Sequence, residues 1–541
     1  MGSMSELRVR RKAMGKREVG LGKRQAGSGK RLPGTPDEYQ ARPRFPLPAS
    51  RLRRFAPYLV AFTAVAVFAN ALGNDFALDD RGVILRNPLV QSLDGMWRAF
   101  GQPYWPREAS DAGVYRPLAV ASYALDWAIS GGSAAWMHAV NILWHAAVAV
   151  LVWYLAAQLL APAGALAAAL LFAVHPVHVE AVANVVGRAE CMAAAFVLAA
   201  LLAHRRGSWA APVFFLLGVF SKESAIVFAA LAPAADLMVS DDPKATFRAR
   251  RVLYASYAGV IIVYGVTLLA VFSGREFTQI APVFVGLSVV QRLLTVATII
   301  PEYPRLLLLP VNLSWDYSPR VVEPAYALNL LGLAGIAVVF VYGVLVARAW
   351  RGDRVLAYAM IWVPIAIGPV ANVLVPTGIA VAERTLYLAS VGVVMAMGWL
   401  VQRYGANRQA AVIAAMSLIA LLYSWRSWTR TPVWRNNQTL ALSLLQHHPE
   451  SYRAHQAVAR VYAGMGRWAE AQSAYRTSRR LFQRDATVYR EAAATAVQLG
   501  RLTEARALVD SALVLEPSYR EALELRSDLR TELAPVQESP K

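Results

Sequence analysis

Apolar runs close to the length of a bilayer crossing recur along this chain, and they constrain its fold more than any other feature. A hydrocarbon layer of ~30 Å needs a helix of ~20 residues. Within that layer every backbone N–H and C=O must be bonded internally, which favours helices. Candidate spans fall near residues 55–73, 137–160, 162–174, 188–204, 208–222, 223–239, 250–272, 326–348, 354–375, 382–401 and 409–425. With 57% of its 541 residues hydrophobic, the chain is more apolar than an ordinary soluble domain. The sequence therefore predicts an all-α, polytopic membrane protein.

Charge sets the expected orientation. The first span, Phe55–Gly73, follows a long tail, so it reads as a retained anchor and not a cleaved signal peptide. Residues 1–54 hold 15 Lys/Arg against 4 Asp/Glu. Rich in Gly, Pro and Ser and without apolar periodicity, this tail is expected to be disordered and cytoplasmic. Anionic lipid headgroups would attract it. Its only aromatics, Tyr39 and Phe45, do not form an interleaved basic–aromatic pattern, so nucleic acid is not an expected partner. Basic loops at His204–Arg206, Lys244–Arg251, Arg348–Arg354 and Arg403–Arg408 are placed on the same side as the tail. The segment 290–309 is apolar but broken by Arg292, Pro301, Glu302, Pro304 and Arg305. It reads as re-entrant or lateral, which leaves about eleven transmembrane helices and puts the C-terminal region outside the cytoplasm. The lone Cys191 excludes intrachain disulfides and cysteine metal sites.

On that topology several ionisable clusters share the non-cytoplasmic surface: Asp79-Asp80, Tyr115-Arg116, His175 with His178 and Glu180, Lys222-Glu223, Asp316-Tyr317 and Glu383-Arg384. Polar groups at membrane depth are costly and usually line a shared cavity, so one site built from several loops is expected. The plainer alternative is a set of ordinary solvated loops. Adjacent carboxylates repel, so one of Asp79 and Asp80 can serve as a base near neutral pH. An acidic pair can also ligate a divalent cation or cap a helix starting near Arg81. His175 and His178 are spaced to share a helix face and bind metal, but Pro176 disturbs that geometry, and no metal site is expected. Hydrogen bonding to a phosphate or a sugar suits the two histidines better, with a structural role as the alternative. Arg188, Lys222 and Arg384 stand at span boundaries, where they can neutralise a lipid phosphate or form interhelical salt bridges.

Beyond Pro432 the pattern changes. Gly466-Arg467-Trp468-Ala469-Glu470-Ala471 recurs as Gly500-Arg501-Leu502-Thr503-Glu504-Ala505, an offset of 34 residues. Ala471 with Tyr475, and Ala505 with Val509, take the small and large packing positions of a tetratricopeptide repeat. Two full repeats are expected, with a half repeat from about 437 and a terminal helix from about 520. Stacked helix pairs of this kind form an α-solenoid whose concave surface can grip extended peptide. A structural or dimerising role is the alternative.

The strings Phe76-Ala77-Leu78-Asp79-Asp80, Tyr115-Arg116-Pro117-Leu118, His175-Pro-Val-His178-Val-Glu180-Ala181-Val182, Gly187-Arg188-Ala189-Glu190, Lys222-Glu223 and Glu383-Arg384-Thr385-Leu386-Tyr387-Leu388 carry a resemblance. In this order, and followed by the repeats, they resemble the transmembrane and tetratricopeptide-repeat-containing protein O-mannosyltransferases. The resemblance runs from about residue 55 to the end. It implies a glycosyltransferase class C membrane domain (55–434), a repeat domain on the non-cytoplasmic side (435–535) and a short disordered tail (536–541). It also implies transfer of mannose, with inversion, from a polyprenyl-phosphate carrier to Ser or Thr hydroxyls of proteins. By the same resemblance Asp79 or Asp80 is the general base, with Asp79 favoured as the first after the span, and no cofactor is needed beyond the lipid-linked donor. Arg188, Lys222 and Arg384 would hold the carrier phosphate. Tyr115, Arg116, His175, His178, Glu180, Glu223, Asp316 and Glu383 would line the substrate site, and the repeats would hold the acceptor protein. The Ala- and Arg-rich composition points to a bacterial member in the inner membrane, active side to the periplasm; a eukaryotic member would sit in the endoplasmic reticulum. Two other readings stay open: a class C transferase with a glycan or lipid acceptor, and a membrane scaffold or transporter. A transporter should show repeated halves and midplane charges, whereas these charges gather at one surface.

Overall fold

The computed structural model describes residues 49–105, 113–273, 280–317, 321–405 and 408–533. The expected disordered tails lie almost wholly outside these residues. The exception is 49–54, which is helical: the first helix starts at Ala49 and runs to Phe68. Among the described residues every regular element is a helix or helical turn, and there are no strands.

Among the described residues six helices are long and apolar enough to cross a membrane: Arg51–Gly73, Ala134–Ala156, Val185–Arg205, Arg251–Val271, Leu330–Gly352 and Gln409–Arg435. A seventh span arises if Pro162–Val174 and Pro176–Ala183, bent by 45°, count as one. The bend has a local cause. His175 precedes a proline, a position disfavoured in the α region, and it sits at φ −67°, ψ 127°. Other expected spans form shorter helices, among them Ala210–Ser221 and Phe228–Val239. A helix of 12 residues rises only ~18 Å, so these segments do not cross singly as independent full-length spans. The segment 290–309 is split into Val289–Ile299 and Glu302–Leu308, with Pro301 between them.

Burial ranks the long helices. The span window of Val185–Arg205 is 89% buried, whereas that of Leu330–Gly352 is 11% buried. The first is the central post and the second is peripheral. Close packing near the post depends on small residues. A Cβ on Gly398 would stand 2.4 Å from the Gly164 carbonyl oxygen, and a Cβ on Gly164 equally near that of Gly398. Helices Pro162–Val174 and Ala389–Gly405 therefore approach backbone to backbone, as small residues permit in membrane bundles.

After Gln409–Arg430 and the turn Thr431–Arg435 come six further helices: Asn437–His447, Tyr452–Gly464, Trp468–Leu481, Ala486–Gln498, Leu502–Leu515 and Arg520–Leu533. Those starting at Tyr452, Ala486 and Arg520 are 34 residues apart, as are those starting at Trp468 and Leu502. Gly466 and Gly500 hold the matching left-handed turns, at φ 72° and 70°. The last five of these helices have a core of their own, built mainly of alanine with Tyr452, Tyr475 and Val509, whereas Leu440 of Asn437–His447 joins the core of the membrane bundle. Consecutive pairs are cross-tied by charge: Arg460 and Gln456 donate to Glu491, and Gln472 donates to Glu504.

Candidate functional site

The chain leaves its first span at Gly73 and forms a loop whose geometry separates the two aspartates. Leu78 has φ 51°, a left-handed conformation that costs a residue with a Cβ roughly 1–2 kcal/mol. Its N–H donates to Asn437 Oδ1 at 2.7 Å. The turn that follows sends Asp80 inward and Asp79 outward. Asp80 is fully buried. Its carboxylate accepts from the N–H groups of Ala77 (3.2 Å), Val185 (3.3 Å) and Val186 (2.8 Å). Burial pushes this carboxyl up to about 7, against the lowering effect of those three donors, with the Asp79 charge adding a little. Asp80 thereby staples the loop to the start of the central post. A short π-helical turn, Arg81–Leu85, follows at once.

Asp79 keeps 31% of its side chain exposed, and its Oδ2 lies 3.7 Å from Arg384 Nη1. Arg384 also binds Glu180: its backbone N–H donates to Oε2 at 2.9 Å and Nη1 to Oε1 at 3.0 Å. The first outer loop, the bent helix pair and the loop before Ala389 thus meet at one guanidinium. Lys222 is buried and ion-paired with Glu190. Its charge is close enough to be felt by Arg384, Arg116 and Glu223. Arg116 forms a two-pronged pair with Glu223, Nε to Oε2 at 2.9 Å and Nη2 to Oε1 at 2.6 Å, the strong fork geometry of arginine. Its guanidinium also covers the Tyr104 ring at 5.2 Å. Tyr115 is buried and donates to the Phe100 carbonyl at 2.7 Å.

Other expected site residues are placed differently. Arg188 is wholly buried and enclosed by protein partners: Nε donates to Asn141 Oδ1 (2.7 Å), Nη2 to the Met137 carbonyl (3.0 Å), and Nη1 lies 2.5 Å from Asp126 Oδ2. Its guanidinium stacks over Tyr123 at 4.9 Å. This differs from the expectation of a phosphate ligand, because all three nitrogens already face protein. His175 and His178 are likewise inside the bundle. His175 Nδ1 accepts from the Val177 N–H, which leaves Nε2–H to donate to the Leu307 carbonyl at 3.0 Å. His178 Nε2 meets Ser390 Oγ at 2.8 Å, among Phe172, His145 and Tyr387. Both rings are fully buried, and His178 Nδ1 is left without a hydrogen-bond partner among the described residues. Glu383 is buried and accepts from Tyr317 Oη at 3.0 Å and from the Ser314 N–H. Asp316 Oδ1 lies 3.8 Å from Arg453 Nε, at the junction with the C-terminal helices. Among the described residues no three His, Cys, Asp or Glu side chains converge as a metal site requires.

The acidic and basic loops separate along the bundle. The post Arg188–Arg205 has 18 residues, ~27 Å of helix. At its far end His204 and Arg250 converge on Asp236, and Arg354 donates to the Ser240 carbonyl. The basic loops gather there, away from Asp79.

Glu190 and Asn437 were not singled out by sequence. Glu190 lies in the Gly187–Glu190 string, two residues from Arg188, so a search for partners of Lys222 could have found it. Asn437 carries no local signal, since its bond is to a backbone N–H far away in the chain.

The chain is similar to several animal proteins. It is 27% identical to a protein O-mannosyl-transferase of Caenorhabditis elegans over 76% of this chain and 60% of that protein. It is 24% identical to human protein O-mannosyl-transferase TMTC3 over 87% of this chain and 61% of that protein. A shorter stretch, 26% of this chain and 16% of the relative, is 42% identical to Drosophila melanogaster protein O-mannosyl-transferase Tmtc2. The chain spans about three-fifths of the length of the first two. The bacterial origin expected from composition finds no support in these animal relatives. No family model matches the chain, and no solved structure does.

Proposed function

We propose that this chain is an integral-membrane protein O-mannosyltransferase that uses a polyprenyl-phosphate mannose donor and Asp79 as general base. The observation that carries the reading is the pairing of a half-exposed outer-loop carboxylate, Asp79, with Arg384, beside the buried cation Lys222. The acceptor Ser or Thr oxygen attacks the sugar's anomeric carbon from the face opposite the phosphate, and its proton passes to Asp79. The bond from that carbon to the phosphate oxygen breaks, the configuration inverts, and the carrier leaves as polyprenyl phosphate. Arg384 and Lys222 stabilise the charge that develops on the leaving phosphate. Asp80 does not fill the base role, since its oxygens are enclosed by three backbone donors.

The shorter apolar helices complete a class C bundle of about eleven crossings, some of them paired half-spans. The 34-residue helix pairs form a tetratricopeptide solenoid that holds the acceptor protein on the non-cytoplasmic side, the lumen of the endoplasmic reticulum in a eukaryotic cell. The names of the relatives support the reaction class, and the segregation of charge along the bundle supports the sidedness.

The test is transfer from polyprenyl-phosphate mannose to a Ser/Thr peptide by the purified chain. Asp79→Asn should lose roughly 10²–10⁴ in rate, the usual contribution of a positioned base. Undiminished transfer by Asp79→Asn would remove the base assignment. Transfer to oligosaccharide or lipid but never to peptide would move the enzyme to another acceptor class.

A further inference from the structure

We infer that Asn437, in the first turn of the C-terminal helices, is a positioning residue that sets the orientation of the Asp79 base. This rests on the mannosyltransferase reading above and adds a role for a residue outside the membrane domain.

The loop after the first span is fastened along the end of the last span by a run of hydrogen bonds. Asn70 Nδ2 donates to the Trp428 carbonyl (2.8 Å), Asn74 Nδ2 to that of Thr431 (3.2 Å), and the Asp75 N–H to that of Arg435 (2.9 Å). The fourth tie, Leu78 N–H to Asn437 Oδ1, is different. It ends on a side chain, where the other three end on main-chain carbonyls that any residue would supply. It also falls on the residue least suited to its backbone. Among the described residues only Leu78 and Asn372 combine a side chain with positive φ. Asparagine tolerates that region by bonding locally, as Asn372 does through Val370 and Thr377. Leucine cannot, so its conformation is held from outside.

Asp79 is the next residue, and the φ, ψ of Leu78 decide where its side chain is aimed. The helix start does not need Asn437 for capping. Asn436 does that, accepting from the Thr439 N–H while the Thr439 hydroxyl meets the Asn436 N–H. The Asn437 amide is thereby available to the loop. Removing its oxygen frees Leu78 to return to a right-handed conformation, which swings Asp79 away from Arg384. Chemistry should suffer while acceptor binding does not.

The experiment measures steady-state transfer and thermal unfolding for the full chain and six variants, with polyprenyl-phosphate mannose and a Ser/Thr peptide as substrates. Asn437→Ala should lose roughly tenfold to hundredfold in kcat, the scale of a misplaced catalytic group, with peptide KM unchanged. Asn437→Asp, which keeps an acceptor oxygen at the same reach, should recover most of that loss. Leu78→Gly combined with Asn437→Ala should also recover part of it, because glycine adopts φ 51° without the steric cost that leucine meets. Asn70→Ala, which cuts a neighbouring tie of the same seam, should transfer at the wild-type rate. Should Asn437→Ala melt well below Asn70→Ala, Asn437→Gln replaces it, since the amide is retained but misplaced. A wild-type kcat for Asn437→Ala, or a loss that neither rescue recovers, overturns the inference. With Asp79→Asn inactive in the same assay, that failure leaves the mannosyltransferase reading standing. A fully active Asp79→Asn brings down both.

Discussion

Replacing Asp80 by alanine should unfasten the first outer loop, and the size of the effect follows from three bonds. The carboxylate is fully buried and accepts from the N–H groups of Ala77, Val185 and Val186. A buried donor left without a partner costs about 1–3 kcal/mol, so three of them cost about 3–9 kcal/mol. Water admitted to the loop brings the figure toward the lower end. The assay is thermal unfolding in detergent together with amide hydrogen exchange. Asp80→Ala should lower Tm and deprotect the Val185 and Val186 amides, whereas Asp79→Asn should leave both unchanged while slowing transfer by roughly 10²–10⁴. The wild-type loop also carries a pH signature. The Asp80 carboxyl is raised from 3.8 to about 7, so between these values the folded state holds a proton that the unfolded state has lost. Its contribution to stability is greatest below the unfolded value, declines as pH rises toward 7, and is flat above. Asp80→Asn should remove that slope. The reasoning is refuted if Asp80→Ala leaves the Val185 and Val186 amides as protected as before, or if Asp79→Asn destabilises the chain as much.

Three further outcomes are expected. Arg188→Lys gives up the bonds to Asn141 and the Met137 carbonyl and should lose about 1–3 kcal/mol of stability with donor KM unchanged; a raised donor KM at full Tm would return Arg188 to the phosphate site. Gly398→Val places carbon 2.4 Å from the Gly164 carbonyl oxygen, and thermal unfolding should show a loss of at least about 1–3 kcal/mol from overpacking; an unchanged Tm would mean that the crossing is looser than described. Lys222→Met leaves Glu190 buried and unpaired, at about 3–5 kcal/mol. Adding Glu190→Gln should restore Tm but not donor affinity, and recovery of both would exclude Lys222 from phosphate binding.

The parts of this molecule written in local pattern are legible in its sequence. The long apolar windows become the six long helices, and the 34-residue offset reappears in the helix starts at 452, 486 and 520. Arg384 and Glu180 could be nominated because charge inside apolar sequence demands a partner, although nothing local says that they partner each other. The division between Asp79 and Asp80 was not legible. It is decided by donors at 185 and 186, more than a hundred residues on, and by a left-handed leucine that no propensity scale anticipates. The span-boundary position of Arg188 and the i, i+3 spacing of His175 and His178 suggested ligands, but helix packing surrounds all three with protein partners. Hydropathy marked where the shorter apolar segments lie, but not that the segments around Pro176 and Lys222 form helices shorter than a full crossing.

The bonds from residues 70–78 to 428–437 have a consequence for biogenesis. Leu78 and Asn437 are 359 residues apart, so the loop bearing Asp79 cannot take its final form while the spans between them are being inserted. The loop therefore takes its final form late, when the two ends of the membrane domain are joined.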